Sequence, residues 1–121
     1  MKRKALIIED SKFMVEIIKN CLEKIDFEVV GVAEDGDSGI EMALEHEPDL
    51  ITLDNILPDM IGIEIAKVLM IEEQMDTKII MISAVGNDDM IADAKASGVH
   101  AYMTKPFNEE LLIETVNSVM G

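Results

Sequence analysis

Charged and hydroxyl side chains stand directly after four short apolar runs of the sequence. They are Glu9 and Asp10 after the first run, Asp54 after the third, Ser83 at the end of the fourth and Lys105 after the fifth. Carboxylates held close together in a partly desolvated site repel one another unless a cation lies between them. Magnesium suits such a site, because it prefers hard oxygen ligands and completes its shell with waters and a phosphate oxygen. Lys105 could then neutralise phosphoryl oxygens beyond the reach of the metal, and Ser83 could donate a hydrogen bond to one of them.

Each of these features has an ordinary structural explanation when it is taken alone. An acidic pair after a strand is usually a solvated turn or a helix cap, Asp54 could cap a turn before Pro58, and Lys105 with Pro106 could form a plain loop. Their appearance in order, at the ends of successive apolar runs, is what favours one shared site.

The apolar runs alternate with segments whose apolar residues recur every three or four positions, and this pattern predicts five strand-helix units. Strands are expected at residues 4–8, 27–33, 50–53, 78–82 and 99–103. Helices are expected at about 11–24, after a turn at 35–37 through Ile40, Ala43 and Leu44 to near Pro48, and around Ile65, Val68 and Leu69. Two more are expected at 87–97 and from Asn108, the last with Leu111, Leu112, Thr115, Val116 and Val119 facing inward.

Five such units with short connections predict the α/β class, with a doubly wound parallel sheet covered by helices on both faces. Ligands of open α/β sheets bind outside the carboxyl ends of the strands, where the strand order reverses. The polar residues at the run ends are therefore expected to converge in one crevice. With 121 residues, the chain is expected to be a single domain over residues 1–121.

The composition excludes several classes of function. The formal net charge of −15, from 25 acidic and 10 basic residues, would repel the phosphates of nucleic acid. No apolar run has the length of a membrane span or of a signal peptide, so we expect a soluble, cytoplasmic protein with no membrane association. The single cysteine, Cys21, cannot form an internal disulfide, and its place in an apolar helical pattern predicts a buried residue.

The sequence resembles the receiver domains of two-component response regulators over residues 4–120, and stand-alone receivers of the chemotaxis type are the most similar. The resemblance rests on an acidic pair (Glu9, Asp10), an acceptor segment with the pattern DxxxPxxxG (residues 54–62), a switch hydroxyl (Ser83), a switch aromatic (Tyr102) and a lysine-proline pair (Lys105, Pro106).

This resemblance implies a flavodoxin-like strand order of 2-1-3-4-5 and a phosphoryl group accepted by Asp54. The donor would be a histidine kinase or a small phosphodonor. The cofactor would be Mg²⁺, for which Mn²⁺ is expected to substitute. Asp10 and Asp54 would bind the metal directly, Glu9 mainly through water, and Ile56 through its main-chain carbonyl.

The resemblance also implies how the signal leaves the domain. After phosphoryl transfer, Ser83 would move toward the phosphoryl group and Tyr102 would turn inward. A protein partner would read the change at the face made by the fourth helix, the fifth strand and the fifth helix, in chemotaxis or in another pathway. Ile56 and Val85 are apolar where many receivers have polar residues, which predicts slow loss of the phosphoryl group and leaves room for a partner phosphatase. The Lys105–Pro106 bond is expected to be cis.

Other classes fit the sequence less well. A flavin-type mononucleotide binder needs small and glycine residues in its first phosphate-binding loop, whereas residues 9–13 carry two carboxylates and no glycine. A turnover phosphatase would need a second aspartate two residues after the nucleophile, where Ile56 stands. The chain is therefore not expected to be a turnover enzyme. A receiver cut from a longer regulator and a phosphorylation-independent pseudo-receiver remain open.

Overall fold

The five apolar runs predicted to be strands all form strands of one parallel sheet. In the computed structural model, which describes residues 2–121, they are β1 (Arg3–Ile8), β2 (Phe27–Ala33), β3 (Leu50–Leu53), β4 (Lys78–Ser83) and β5 (Ala101–Thr104). Met1, which the predicted domain includes, lies outside the described residues. The central strands are buried along almost continuous apolar runs, as expected of strands that helices cover on both faces.

The order of the strands is β2-β1-β3-β4-β5, and every neighbouring pair is parallel. This is the flavodoxin-like order that the resemblance implied. The order reverses between β1 and β3, because the chain leaves β1 toward β2 on one side while β3 lies on the other. Ile8 pairs with Leu53, so β1 and β3 end at the same level. The residues after these two strands therefore emerge side by side at the point where the order reverses.

Five helices lie within residues 2–121, and four of them begin at a polar side-chain cap. They are α1 (Lys12–Lys24), α2 (Gly36–His46), α3 (Gly62–Ala66), which continues as π-helical turns over Lys67–Glu72, α4 (Asp88–Ala96) and α5 (Glu109–Met120). Side-chain oxygens of Ser11, Asp35, Asn87 and Asn108 each accept a main-chain N–H from the first turn of the adjoining helix. Each cap of this kind is worth about 1 kcal/mol. No helix within residues 2–121 is long and apolar enough to cross a membrane.

The sheet separates two apolar layers. One lies under α1 and α5 and includes Ile7, Ile18, Cys21, Leu22, Ile80, Leu112 and Val116. The other lies under α2, α3 and α4 and includes Leu6, Ala43, Leu53, Ile65, Leu69, Met81 and Ala94. The prediction of helices on both faces is confirmed, and so is the burial of Cys21, which raises the pKa of its thiol.

β5 begins later than the sequence pattern predicts. The main-chain N–H of His100 donates to the Ile79 carbonyl at 2.8 Å, and the His100 Nδ1 accepts the Ile79 N–H at 3.0 Å. The imidazole thus takes a position that a main-chain carbonyl would occupy in a regular ladder, and strand pairing starts with Ala101 opposite Ile80. Burial and the nearby Lys78 lower the pKa of His100, which agrees with a neutral ring that accepts at Nδ1.

The inward face of α5 is narrower than predicted. Leu112 and Val116 are buried and Val119 packs beside them, but Leu111 is 45% exposed. Neighbouring residues of a helix point about 100° apart, so a face centred on Leu112 and Val116 turns Leu111 toward solvent. The prediction that Leu111 faces inward is wrong.

Candidate functional site

Three carboxylates meet where the strand order reverses. Glu9 and Asp10 follow β1, Asp54 follows β3, and one oxygen from each lies within 4.8 Å of the others. Main-chain hydrogen bonds of 2.9 Å from Glu9 to the Ala33 carbonyl and from Asp54 to the Ile8 carbonyl continue the strand ladders up to the site. Glu9 and Asp54 are buried, whereas Asp10 is exposed at the rim. The structure therefore brings together the three acidic residues singled out in the sequence.

Lys105 completes the charge pattern from the end of β5. Its Nζ lies 2.8 Å from Glu9 Oε1 and 3.7 Å from Asp54 Oδ2. Its main-chain N–H donates to the Ser83 carbonyl at 2.8 Å, which fixes the start of this loop against β4. One ammonium thus faces two buried carboxylates, and the negative charge of the cluster is only partly balanced.

The surroundings of Asp54 raise its pKa. Burial, together with the neighbouring Glu9 carboxylate as the second cause, raises the pKa of Asp54 to about 6, although Lys105 and the Ile56 N–H act in the opposite direction. A raised pKa means that the ionised carboxylate is disfavoured in this environment. A divalent cation would remove the repulsion that disfavours it.

The donor set fits magnesium. Three carboxylates offer hard oxygen ligands, and the exposed side of the cluster, at Asp10, leaves room for the waters that magnesium keeps. Ile56 lies in the loop after Asp54, where its N–H donates to Asp54 Oδ1 at 3.4 Å. Coordination by the Ile56 carbonyl stays a prediction.

Ser83 and Tyr102 both contact the same loop residue, Val85. Ser83 is fully buried at the end of β4, and its Oγ accepts the Val85 N–H at 3.2 Å. The Tyr102 hydroxyl, on β5, donates to the Val85 carbonyl. In residues 2–121, neither hydroxyl is hydrogen-bonded to the Asp54 carboxylate. The loop after β4 therefore connects the two residues that the family resemblance pairs as a switch.

Apolar side chains lie in the two loops that come after Asp54 and Ser83. Ile56 is 55% exposed and Val85 is 40% exposed. Each stands two residues after the polar side chain that its own main-chain N–H contacts. In the loop after β5, the Lys105–Pro106 bond is cis, which confirms the prediction.

The roles of two polar residues in the segment after Asp54 were not predicted from the sequence. Asn55 is completely buried, and its Oδ1 accepts the Ile63 N–H at the start of α3. Asp59 accepts the N–H groups of Gly36 and Asp37 at the start of α2, at 2.7 and 3.0 Å, and these bonds hold the pKa of Asp59 below its usual value. Asn55 is the second residue after β3, and its type and position gave no signal of its role. Asp59 looked like an ordinary turn residue.

Comparison with known proteins gives a consistent result over nearly the whole chain. A family model described as the response regulator receiver domain matches residues 5–117. The chain is 38% identical to the chemotaxis protein CheY of Bacillus subtilis, over 100% of both chains. It is 34% identical to the chemotaxis protein CheY of Thermotoga maritima, over 98% of both chains.

Solved structures of similar proteins share the fold. A crystal structure of the CheX-CheY-BeF3-Mg complex from Borrelia burgdorferi superposes with a TM-score of 0.93 at 27% identity, covering 98% of this chain and 90% of that chain. The response regulator domain of Thermotoga maritima CheB superposes with a TM-score of 0.88 at 30% identity, covering 99% of this chain and 97% of that chain.

Proposed function

This chain belongs to the response regulator receiver domain family, and from that premise we propose that it is a phosphorylation-dependent signalling switch whose acceptor is Asp54. One observation carries the proposal. A buried carboxylate, Asp54, lies close to two further carboxylates and to the Lys105 ammonium where the strand order reverses. This is an arrangement for receiving a phosphoryl group beside a metal ion.

Asp54 would act as the nucleophile. A carboxylate oxygen of Asp54 would attack the phosphorus of the donor as the bond from phosphorus to the donor breaks, and its electron pair would leave with the histidine nitrogen of the kinase or with the oxygen of a small phosphodonor. Lys105 would move from Glu9 to contact a phosphoryl oxygen. Asp10, Asp54, Glu9 and the main-chain carbonyl of Ile56 are the groups that would hold magnesium, and the bound ion would neutralise negative charge on the transferring phosphoryl group. Mn²⁺ is expected to substitute for it.

The response to phosphorylation would begin at Ser83. Its Oγ now accepts the Val85 N–H, and turning toward a phosphoryl oxygen removes that bond. The Val85 carbonyl also holds the Tyr102 hydroxyl, so a shift of this loop frees Tyr102 to turn inward. Since Tyr102 lies on β5, the change would reach the face made by α4, β5 and α5.

The partners that we propose are proteins. A histidine kinase would donate the phosphoryl group, and a target protein would read the face made by α4, β5 and α5. The similarity to chemotaxis proteins supports an output in chemotaxis, and the Borrelia relative crystallised in complex with CheX supports a second protein partner, such as a phosphatase. We propose that the domain hydrolyses its own aspartyl phosphate only slowly and does not turn over a substrate.

Incubation with acetyl phosphate and magnesium tests the proposal. The intact mass should rise by one phosphoryl group, and the rise should be absent with a chelator or in Asp54→Asn. Asp26→Asn, at an exposed position after α1, is the matched control and should be labelled like the wild type. An unchanged wild-type mass with metal present would contradict the proposal.

A further inference from the structure

The side chain directly after the acceptor is a buried amide that attaches the acceptor loop to α3. Asn55 is completely buried. Its main-chain carbonyl accepts the Gly62 N–H at 2.7 Å, and its side-chain Oδ1 accepts the Ile63 N–H at 3.3 Å. Both acceptor groups of Asn55 are thus committed to the first turn of α3.

The contact with α3 leaves little freedom for the backbone. A Cβ added at Gly62 would lie 2.5 Å from the Asp54 carbonyl oxygen and 2.9 Å from the Asn55 Cα. The backbone at Gly62 lies directly against the backbone of Asp54 and Asn55. Because Asn55 directly follows Asp54 in the chain, a displacement of the Asp54 main chain also moves Asn55.

The Asn55 side-chain nitrogen, Nδ2, lies near α4. Because Oδ1 must face the Ile63 N–H donor, Nδ2 points away from α3, and it lies 3.7 Å from Met90 Sδ. Met90 is in the first turn of α4 and packs against the apolar layer that also contacts Tyr102. A thioether is a weak acceptor, and within residues 2–121 it is the one hydrogen-bond partner of the Asn55 amide N–H groups. The bond from the Ile63 N–H explains an acceptor oxygen at this position, whereas the Nδ2 group of the amide meets only this weak acceptor on α4.

We propose that Asn55 is a positioning residue that couples the acceptor loop to α4 through Met90. The inference rests on the proposed function, since it concerns the structural change that a phosphoryl group on Asp54 would cause. A shift of the Asp54 main chain moves the Asn55 amide, and the amide displaces the first turn of α4. This route runs beside the one through Ser83, Val85 and Tyr102.

The test compares two responses to the same ligand. Isotope-labelled wild type and Met90→Leu are titrated with beryllofluoride, a phosphoryl mimic, in the presence of magnesium, and amide NMR shifts are followed. Leucine keeps the volume of methionine and removes the sulfur acceptor. In the wild type, amides of the loop at 54–57 and of α4 should both shift. In Met90→Leu, the loop shifts should persist while the α4 shifts fall to roughly half or less.

Two further variants make the result specific. Met42→Leu, in α2, makes the same change against the same apolar layer and should leave the α4 response intact. Asn55→Ser shortens the side chain so that it no longer reaches Met90, and it should bind the ligand but lose the α4 response even if Met90→Leu folds poorly.

A full α4 response in Met90→Leu, or an equal loss in Met42→Leu, would overturn the coupling and leave the proposed function standing. If the wild type does not bind beryllofluoride, the proposed function and the coupling both fail.

Discussion

The pKa values of two aspartates five residues apart in the same loop are shifted in opposite directions, and the surroundings of each side chain explain its shift. Asp54 is buried beside the Glu9 carboxylate, which raises its pKa to about 6. Asp59 is exposed and accepts N–H groups at the start of α2, which lowers its pKa. The charge of Asp54 is thus held in an unfavourable place, as expected of a reactive group, whereas that of Asp59 helps to hold the loop.

Removing the charge of Asp54 should stabilise the protein. The pKa of Asp54 is about 6 in the folded protein, whereas its ordinary value is 3.8. This carboxyl therefore contributes stability below about pH 4, and the contribution is lost as the pH rises through about 6. Without metal at about pH 8, Asp54→Asn should be more stable than the wild type by about 1–3 kcal/mol in urea unfolding.

The gain should disappear at about pH 4, where the wild-type carboxyl is itself neutral in the folded protein. Asp93→Asn, at an exposed position in α4, is the control and should show no comparable gain. A less stable Asp54→Asn at high pH would mean that attraction to Lys105 outweighs burial and the repulsion by Glu9.

We expect the exposed carboxylate of the cluster, Asp10, to contribute to the affinity for magnesium. We predict millimolar-range magnesium binding to the wild type, because few of the ligands come from the protein and magnesium keeps several waters. Asp10→Asn should weaken it by about tenfold or more, since even loss of an outer-shell partner costs about 10- to 100-fold. Asp93→Asn again serves as the control in a calorimetric titration, and equal affinity in Asp10→Asn would exclude Asp10 as a ligand.

The site residues that the sequence made recognisable are those whose type and position at a strand end carry information. Asp54 and Lys105 are examples, because each follows a clear apolar run. Asn55 could not be found in this way. Its importance lies in partners at Ile63 and Met90, and the distance from Asn55 to these partners depends on how α3 and α4 pack.

At the scale of elements, periodicity and capping residues identified every strand and helix, but not all of their limits. The late start of β5 depends on the His100 imidazole, which reaches the Ile79 N–H from outside the regular ladder. The π-helical turns at Lys67–Glu72 were also missed, because their apolar spacing resembles that of an α-helix.

The approach of α3 to the acceptor loop requires a glycine at 62. In Gly62→Ala, the new methyl group would meet backbone atoms of Asp54 and Asn55, which a side-chain rotation cannot move aside. We expect a loss of about 1–3 kcal/mol in urea unfolding and weaker magnesium binding. Gly31→Ala is the matched control, because its methyl group would meet only side-chain atoms, the nearest being the flexible Met42 thioether at 3.1 Å. Equal stability of the two variants would show that α3 can shift freely.

The loops that carry Ile56 and Val85 should control the lifetime of the phosphoryl group. Water must approach the phosphorus in line with the leaving carboxylate oxygen, and neither side chain can orient it by a hydrogen bond. The double variant Ile56→Asn, Val85→Glu should lose a phosphoryl label roughly tenfold faster than the wild type. Ile71→Asn with Leu44→Glu, which replaces two exposed apolar residues on helices, should not. If the first double variant is no faster, apolar exclusion of water is not the cause of a long lifetime.

At the scale of the whole molecule, the alternation of strand and helix was enough to predict a doubly wound sheet, but not its strand order. Pairing between β1 and β3 joins segments more than 40 residues apart, and no local pattern specifies it. The order came from the family resemblance and agrees with the structure. That order places Glu9, Asp10 and Asp54 together, so the candidate site depends on the topology as much as on the residues.

If Asp54 accepts the phosphoryl group, chemical reduction and peptide mapping should locate the group on that residue. The protein is labelled with acetyl phosphate and magnesium and reduced with borohydride, which converts an aspartyl phosphate to homoserine. Peptide mass spectrometry then identifies the modified residue. We expect modification at Asp54 alone, in the peptide that contains the end of β3. Modification at Glu9, Asp10 or any other carboxylate, with Asp54 unchanged, would contradict it.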